Sequence, residues 1–278
     1  MGNLNGKVAL VTGTASKRGM GHAIALRLAR EGADVIVTDK FAAPKSLFPG
    51  DEGWQGLQDE VKEIQSIGKR ALAFTLDVSN GGEVDAAIAK TISEFGKIDI
   101  LVHCAAVRGP VGTPLINHTE KDWRDCLEVN VLGTFFVAKA VAKEMISKGQ
   151  GGKILIFASM AGTHGVKGSS AYCASKYATI GLVKSLALEL GPYHINVNAI
   201  NPGAIITNLR DAAFEKMAKD QGVSWEEARQ NDYKMMGANI PWGRLGSVNE
   251  IADLAYFLVS DQSNYITAET IGITGGLI

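Results

Sequence analysis

The feature that most constrains this chain is an alternation. Short runs of Val, Ile and Leu recur between longer segments in which apolar residues return every three or four positions. The first pattern belongs to strands covered on both faces and the second to amphipathic helices, so the alternation predicts parallel strands joined by crossover helices. Strands are expected at Lys7 to Val11, Asp34 to Thr38, Arg70 to Leu76, Ile98 to Val102, Lys153 to Ala158, Asn196 to Ile200 and Thr270 to Ile273. Helices are expected at about Gly21 to Glu31, Gln58 to Ile67, Gly82 to Phe95, Asp122 to Ser147, Ala171 to Leu190 and Asn249 to Ser260. Gly32, Gly68, Gly96 and Gly191 follow four of these helices and are expected as their terminating residues. The predicted fold class is α/β, a doubly wound parallel sheet of about seven strands with helices on both faces. No repeat, low-complexity tract or linker divides the sequence, so one domain over 1–278 is expected.

Two segments break the rhythm, Phe41 to Gly56 and Thr207 to Leu245, both longer than ordinary connections between a strand and a helix. Excursions beyond strand C-termini in such sheets shape the ligand crevice. The second, with Trp225, Met235, Met236 and Trp242, is expected to be a substrate lid offering an apolar, adaptable wall, which favours a cyclic or hydrophobic alcohol over a sugar.

Composition narrows the class of partner. The 28 basic and 29 acidic residues leave a net charge of −1, with the basic residues scattered along the chain and never more than two together, so nucleic acid and anionic membrane surfaces are not expected partners. No stretch stays apolar for the roughly 20 residues of a membrane span. The N-terminus carries no leader pattern, and Gly6 stands where a myristoylation signal wants Ser or Thr. The three cysteines, Cys104, Cys126 and Cys173, show no Cys-x-x-Cys spacing, which suits a reducing, cytoplasmic setting. No cluster has metal-ligand spacing, and no metal is expected.

At one end of the expected sheet the first strand runs through Thr12-Gly13-Thr14-Ala15-Ser16-Lys17-Arg18-Gly19-Met20-Gly21 into a helix. A pyrophosphate would sit there on free backbone N–H groups; a merely tight turn would look the same. Asp39 lies 20 residues after Gly19, where an acid accepts hydrogen bonds from the ribose of NAD and repels the 2′-phosphate of NADP. Lys17 and Arg18 pull the other way, because a basic side chain near the ribose can pair with that phosphate. NAD is the expected cofactor and NADP the alternative. Asp77 closes the third strand, where its carboxylate could take the adenine amino group or cap the following helix.

At the other end Ser159 follows the fifth strand and Tyr172 comes 13 residues later, with Lys176 one helical turn beyond. Tyr and Lys at i and i+4 share a helix face, so an ammonium beside the phenol would favour its ionised form. Free tyrosine titrates near pH 10, and a phenol acting as base near neutrality needs a depression of roughly 2–3 units. Ser159 would hold the substrate oxygen against it. Asn130 interrupts an apolar helix, either as a satisfied core amide or by bending the helix to bind a water that passes protons to Lys176.

Taken together, these residues resemble the classical short-chain dehydrogenase/reductase family over essentially the whole chain. The glycine turn, Asp77-Val78, Asn130, Ser159 and Tyr172-x-x-x-Lys176 match its motifs. Asn201-Pro202-Gly203-Ala204-Ile205-Ile206-Thr207 is similar to the turn lining the nicotinamide, and Ile266 to Gly276 to the closing strand. The resemblance implies a Rossmann sheet, its cofactor half reaching to about residue 150 and its catalytic half beyond, usually a homotetramer, moving a hydride between a nicotinamide and a secondary alcohol or ketone. It implies Tyr172 as acid/base, Ser159 as oxygen anchor, Lys176 as tuner of the phenol and ribose ligand, and Asn130 as relay. Cofactor contacts are implied at Gly13, Ser16, Lys17, Arg18, Gly19, Met20, Gly21, Asp39, Asp77, Val78, Cys104, Ala105, Ala106, Tyr172, Lys176, Pro202, Gly203, Ile205 and Thr207.

The chain departs from the family twice. Gly13 and Gly19 are six apart, as if two residues were inserted, which looks more like the loop of enoyl-thioester reductases; those carry their Tyr and Lys more widely spaced. His103-Cys104-Ala105-Ala106 replaces the usual Asn-Asn-Ala-Gly, with His103 expected to be buried and hydrogen-bonded and Ala106 still small enough for close cofactor approach. Cys173 is expected to pack rather than to switch. The alternatives to an alcohol dehydrogenase or ketone reductase are C=C reduction of a thioester and a non-catalytic nucleotide sensor.

Overall fold

A computed structural model describes residues 4–277, without the side chain of residue 212. The stretch read for a targeting leader begins with residues 1–3, outside the described part. The elements run β1 (Val8–Thr12), α1 (Met20–Arg30), β2 (Asp34–Asp39), α2 (Leu57–Ser66), β3 (Ala71–Thr75), α3 (Gly81–Phe95), β4 (Ile100–His103), α4 (Glu120–Leu127) and α5 (Gly133–Lys148). They continue β5 (Gly152–Phe157), α6 (Ser170–Leu190), β6 (Ile195–Pro202), α7 (Asp211–Gln221), α8 (Trp225–Gly237), α9 (Val248–Val259) and β7 (Thr270–Ile273). All seven strands are parallel, in the order β3-β2-β1-β4-β5-β6-β7.

The period of two along each strand divides the core between the two faces. Leu10, Ile36, Leu101, Ile154 and Ile156 pack with Val84 and Ile88 of α3, Val137 and Val141 of α5 and Val183 of α6. Ala9, Val11, Val35, Val37, Val102 and Leu155 pack on the other side with Ile24 and Leu28 of α1, Ile64 of α2 and Ile251 and Leu258 of α9. The sheet is thus the doubly wound α/β arrangement that the alternation predicts.

Four expectations need correction. β1 and β4 each end one residue later than expected, pairing Thr12 with His103 in register. Gly191 is not a left-handed terminator (φ −53°); it opens a short 3₁₀ turn with Pro192, and His194 takes the positive φ of 57° instead. The helix expected over Asp122 to Ser147 is interrupted at Glu128–Leu132 by one turn of π-helix containing Asn130. The second long excursion is not irregular but carries α7 and α8, packed through Phe214 against Trp225 and Tyr233 with ring centres 5.8 and 5.5 Å apart. Among the described residues no helix is long and apolar enough to cross a membrane, and no group of three or more His, Cys, Asp or Glu could hold a metal ion.

Candidate active site

The strand order reverses between β1 and β4, and a crevice of about 380 Å³ opens above their C-terminal ends. Gly13 (φ +76°) turns the chain out of β1, and a Cβ there would stand 2.7 Å from the backbone N of Ala105. A Cβ on Gly21, in the first turn of α1, would stand 2.3 Å from the Gly13 carbonyl oxygen. The two glycines therefore let loop, helix and β4 meet backbone to backbone, with the acceptor-free N–H groups of α1 at the crevice beside Met20. Gly13, Ser16, Gly19, Met20, Asp39, Asp77, Val78, Cys104, Ala105, Ala106, Tyr172, Lys176 and Thr207 all line this crevice.

Lys17, Arg18 and Gly21 do not. The longer glycine loop turns its two cations outward: Lys17 Nζ donates to the Gly50 carbonyl at 3.3 Å, and Arg18 pairs through Nε and Nη2 with Asp51 at 2.9 and 2.8 Å. The same guanidinium also pairs with Asp211, whose side chain is fully buried. Arg18 thereby ties the glycine loop to both long excursions. Asp39 accepts from the Ala15 N–H at 3.1 Å, and burial pushes its carboxyl up from the ordinary value despite that bond. Asp77 pairs with Lys40 at 2.6 Å; burial alone would raise its pKa, but Lys40 and Ser79 outweigh it and hold it low. It is not the cap of α3, a role taken by Asn80, whose Oδ1 accepts from Gly82 and Glu83 N–H.

His103 is buried, with Nδ1 3.0 Å from Thr12 Oγ1, and Thr12 Oγ1 in turn accepts from the Ala105 N–H at 3.2 Å. The ends of β1 and β4 are braced through this hydroxyl. Burial, with Lys176 nearby, lowers the imidazole to about 3, so His103 is neutral at ordinary pH and not a physiological switch. Cys173 packs as expected, its sulfur accepting from the Val166 N–H at 3.3 Å. Burial raises the Cys104 thiol far above its ordinary value.

At the chemical end, Ser159 leaves β5 and caps a short 3₁₀ turn, its Oγ accepting from Ala161 N–H at 3.2 Å. Tyr172 and Lys176 face it from α6, which approaches closely because a Cβ on Gly162 would stand 2.8 Å from the Lys176 carbonyl. Lys176 Nζ lies 5.7 Å from the centre of the Tyr172 ring and donates to the Phe157 carbonyl at 2.7 Å. Burial lowers its own pKa to about 8. The expected depression of the phenol does not come from these side chains: burial pushes Tyr172 up, opposed by its bond to Ser159 and by the charge of Arg108 rather than that of Lys176. Asn130 lies in the π turn with its side chain satisfied on three sides. Oδ1 accepts from Val107 N–H at 2.8 Å, and Nδ2 donates to the Val107 carbonyl at 2.8 Å and to Ser175 Oγ at 2.9 Å.

A second cavity of about 330 Å³ adjoins the first and shares Met20, Arg108, Ala158, Tyr172, Thr207 and Leu209 with it. Pro202, Gly203 and Ile205 line this one. Of the four residues expected as lid wall only Met236 does so. Trp225 is used in packing α7 to α8, with its indole N–H donated to the Asp211 carbonyl, and Met235 and Trp242 face outward. Among the lining residues unforeseen from sequence are Arg108 and Asn208, the latter donating to Ser16 Oγ at 2.8 Å.

With this geometry in hand, comparison with known proteins is specific. A family model described as Enoyl-(Acyl carrier protein) reductase matches residues 13–278. The chain is 35% identical over 273 residues to a sorbitol dehydrogenase of Cereibacter sphaeroides, covering 98% of each. It is 34% identical over 275 residues to a 3-oxoacyl-acyl-carrier-protein reductase, FabG, of Thermotoga maritima, covering 99% of each. Among solved structures, an NAD⁺-bound xylitol dehydrogenase superposes with a TM-score of 0.82 at 32% identity, over 98% of this chain and 99% of that one.

Proposed function

This chain belongs to the classical short-chain dehydrogenase/reductase family of nicotinamide-dependent oxidoreductases, and from that premise we propose that it interconverts a secondary alcohol and a ketone with NAD(H), using Tyr172 as general acid/base. The observation that carries the reading is the place of Tyr172 on the wall shared by the crevice and a mostly apolar cavity, with Lys176 on the crevice side of it and Ser159 on the cavity side. The glycine turn packs backbone against backbone so that Gly13, Ser16, Gly19 and Met20 line the crevice at the start of α1, and Asp39 stands where a ribose would need acceptors, so the residues fit a nicotinamide dinucleotide. When bound, that group supplies the hydride acceptor or donor. Gly13, Ser16, Gly19 and Met20 would hold its phosphates, Asp39 the ribose, Asp77 and Val78 the adenine, and Cys104, Ala105, Ala106, Pro202, Gly203, Ile205 and Thr207 the nicotinamide side.

On the chain's own side, Ser159 holds the substrate oxygen and Tyr172 takes the hydroxyl proton as the hydride leaves the carbinol carbon. Lys176, kept in place by the Phe157 carbonyl on the crevice wall, would hold the ribose. Asn130 fixes the Val107 backbone beside them, and its π turn, a bulge of the kind found at functional sites, places it there. NAD is favoured over NADP because Asp39 lines the crevice while Arg18 is paired with Asp51 and Asp211, Lys40 with Asp77, and Lys17 is turned to the Gly50 carbonyl. The family model's description names enoyl reduction, but Tyr172 and Lys176 one turn apart beside Ser159 support alcohol–ketone chemistry. The apolar residues exposed at Leu127, Leu132 and Phe135 support the homotetramer, and three free thiols a reducing compartment such as the cytoplasm.

The test is NADH formation with cyclic, aromatic and polyol secondary alcohols, with NAD and NADP compared. Tyr172→Phe is expected to lower turnover at least roughly 10²-fold while NADH still binds. Substantial activity in that variant would remove Tyr172 from the mechanism, a clear NADP preference would overturn the cofactor assignment, and turnover of an enoyl thioester without ketones would replace the reaction.

A further inference from the structure

We propose that Arg108 recognises an anion and that the substrate carries a carboxylate alongside its secondary alcohol or ketone; the inference rests on the alcohol–ketone reading above. Two arginines line the cavity beside Tyr172, and their circumstances differ. Arg210 is engaged with Asp232, its Nε at 3.1 Å and Nη2 at 2.7 Å from the two carboxylate oxygens. Arg108, half-buried, has no hydrogen bond, ion pair or ring contact among the described residues. No Asp or Glu lines that cavity, so its wall carries one uncompensated positive charge, near enough to the phenol to act on it.

The position of that charge is built rather than incidental. On one side of Arg108, both backbone polar groups of Val107 are clamped by the Asn130 side chain at 2.8 Å. On the other, Gly109 takes a positive φ of 62° against Cys126, where a Cβ would stand 2.7 Å from the sulfur. A guanidinium presented from a fixed backbone into a partly dehydrated cavity bears a desolvation cost that nothing in the protein offsets, and an anionic ligand would offset it. Its planar fork of donors matches a carboxylate in bidentate geometry. With Arg210 already paired, a phosphate monoester would find no second cation, which favours a single negative charge. Val166, Met236, Leu245 and Leu277 surround the remaining space, suited to a short or cyclic carbon body. The reaction balances as a hydroxy carboxylate giving up a hydride to the oxidised nicotinamide and its hydroxyl proton to Tyr172, leaving an oxo carboxylate and reduced cofactor.

The experiment compares kcat/KM with NAD for 3-hydroxybutyrate and for 3- and 4-hydroxycyclohexanecarboxylate, each against its own methyl ester. The wild-type enzyme is expected to prefer the acid at least roughly tenfold in one or more pairs, and Arg108→Gln to reduce that acid-to-ester ratio by roughly 10- to 100-fold, mainly through KM. Arg108→Lys, which keeps the charge but loses the fork, should retain part of the preference. Esters turned over as well as acids in every pair, or Arg108→Gln lowering acid and ester alike, would overturn the anion assignment and leave the alcohol–ketone reading standing. Failure of every alcohol and ketone with either nicotinamide would remove both together.

Discussion

Replacing Gly21 with Ala pits two effects of opposite sign against each other. In the interior of a helix, Ala is favoured over Gly by about 1 kcal/mol through the backbone entropy it saves, so a glycine with no other role would be improved by the change. Gly181 is such a position: it sits in the middle of α6 with no heavy atom within 4 Å of where a Cβ would go. Gly181→Ala is therefore expected to raise stability by up to about 1 kcal/mol. At Gly21 the new methyl would stand 2.3 Å from the Gly13 carbonyl oxygen, 3.0 Å from its carbon and 3.2 Å from Thr14 Cγ2. Two of these atoms are backbone and cannot swing away, so the glycine loop or the start of α1 must move. Forced overpacking of this kind costs about 1–3 kcal/mol, and a backbone contact this close belongs at the upper end. Subtracting the propensity gain leaves a net loss of about 2 kcal/mol. Thermal unfolding should show a fall of roughly 4 °C in Tm against a rise of roughly 2 °C for Gly181→Ala, and NADH binding followed by cofactor fluorescence should weaken only in the Gly21 variant. A Gly21→Ala protein with a Tm at or above wild type and intact NADH affinity would refute the claim that the contact between α1 and the loop is what requires this glycine.

Arg18→Met should destabilise by roughly 3 kcal/mol, because it strands the buried Asp211 and nearly buried Asp51, whereas Arg244→Met, breaking the exposed pair with Glu250, should cost far less. Equal losses in denaturant titrations would show that the tether between glycine loop and excursions carries no special energy. For His103, the unfolded chain takes up its proton below about pH 6.5 while the buried ring stays neutral until about pH 3, so this residue withdraws stability as pH falls through that window. His103→Asn should flatten the decline of stability with acid over the same range, and parallel curves for variant and wild type would count against the buried neutral imidazole.

The sheet was legible because a strand covered on both faces must be apolar at nearly every position, and the seven apolar runs correspond to the seven strands. The polar excursion was not. α7 and α8 are rich in charged residues and bury only one edge, Phe214 and Ala228 among them, so their sequence carries little of the amphipathic signal that marks the crossover helices. The π turn at Glu128–Leu132 was invisible for another reason: one extra residue in a turn changes no composition and merely slips the phase of an otherwise continuous pattern. Ser159, Tyr172 and Lys176 could be singled out because their spacing expresses one strand end and one helix face. Arg18 could not be placed, since its partners Asp51 and Asp211 lie 33 and 193 residues away. Arg108 had no motif at all; what distinguishes it is the absence of a partner, which only the packed chain reveals.

The six residues shared by the two cavities explain why the chemistry is assembled here and nowhere else along the sheet. Met20 comes from the start of α1, Arg108 from the segment after β4, Ala158 from the end of β5, Tyr172 from α6, and Thr207 and Leu209 from the segment after β6. Parallel strands deliver all of these segments to one edge, and the reversal of strand order between β1 and β4 parts the crossover helices there, so that a crevice opens where the segments meet. Each wall is then secured by a different device: Thr12 bonds both His103 and Ala105, Asn130 clamps Val107, the Phe157 carbonyl holds Lys176, and Arg18 anchors the glycine loop to Asp51 and Asp211. Three of those restraints come from side chains that are buried or half-buried and the fourth from the backbone carbonyl of buried Phe157, and each fixes a group at the crevice from behind. The reactive edge is therefore held by residues that need not touch a ligand, and substitutions among them should disturb binding and stability together, whereas changes at Ser159 or Tyr172 should disturb turnover alone.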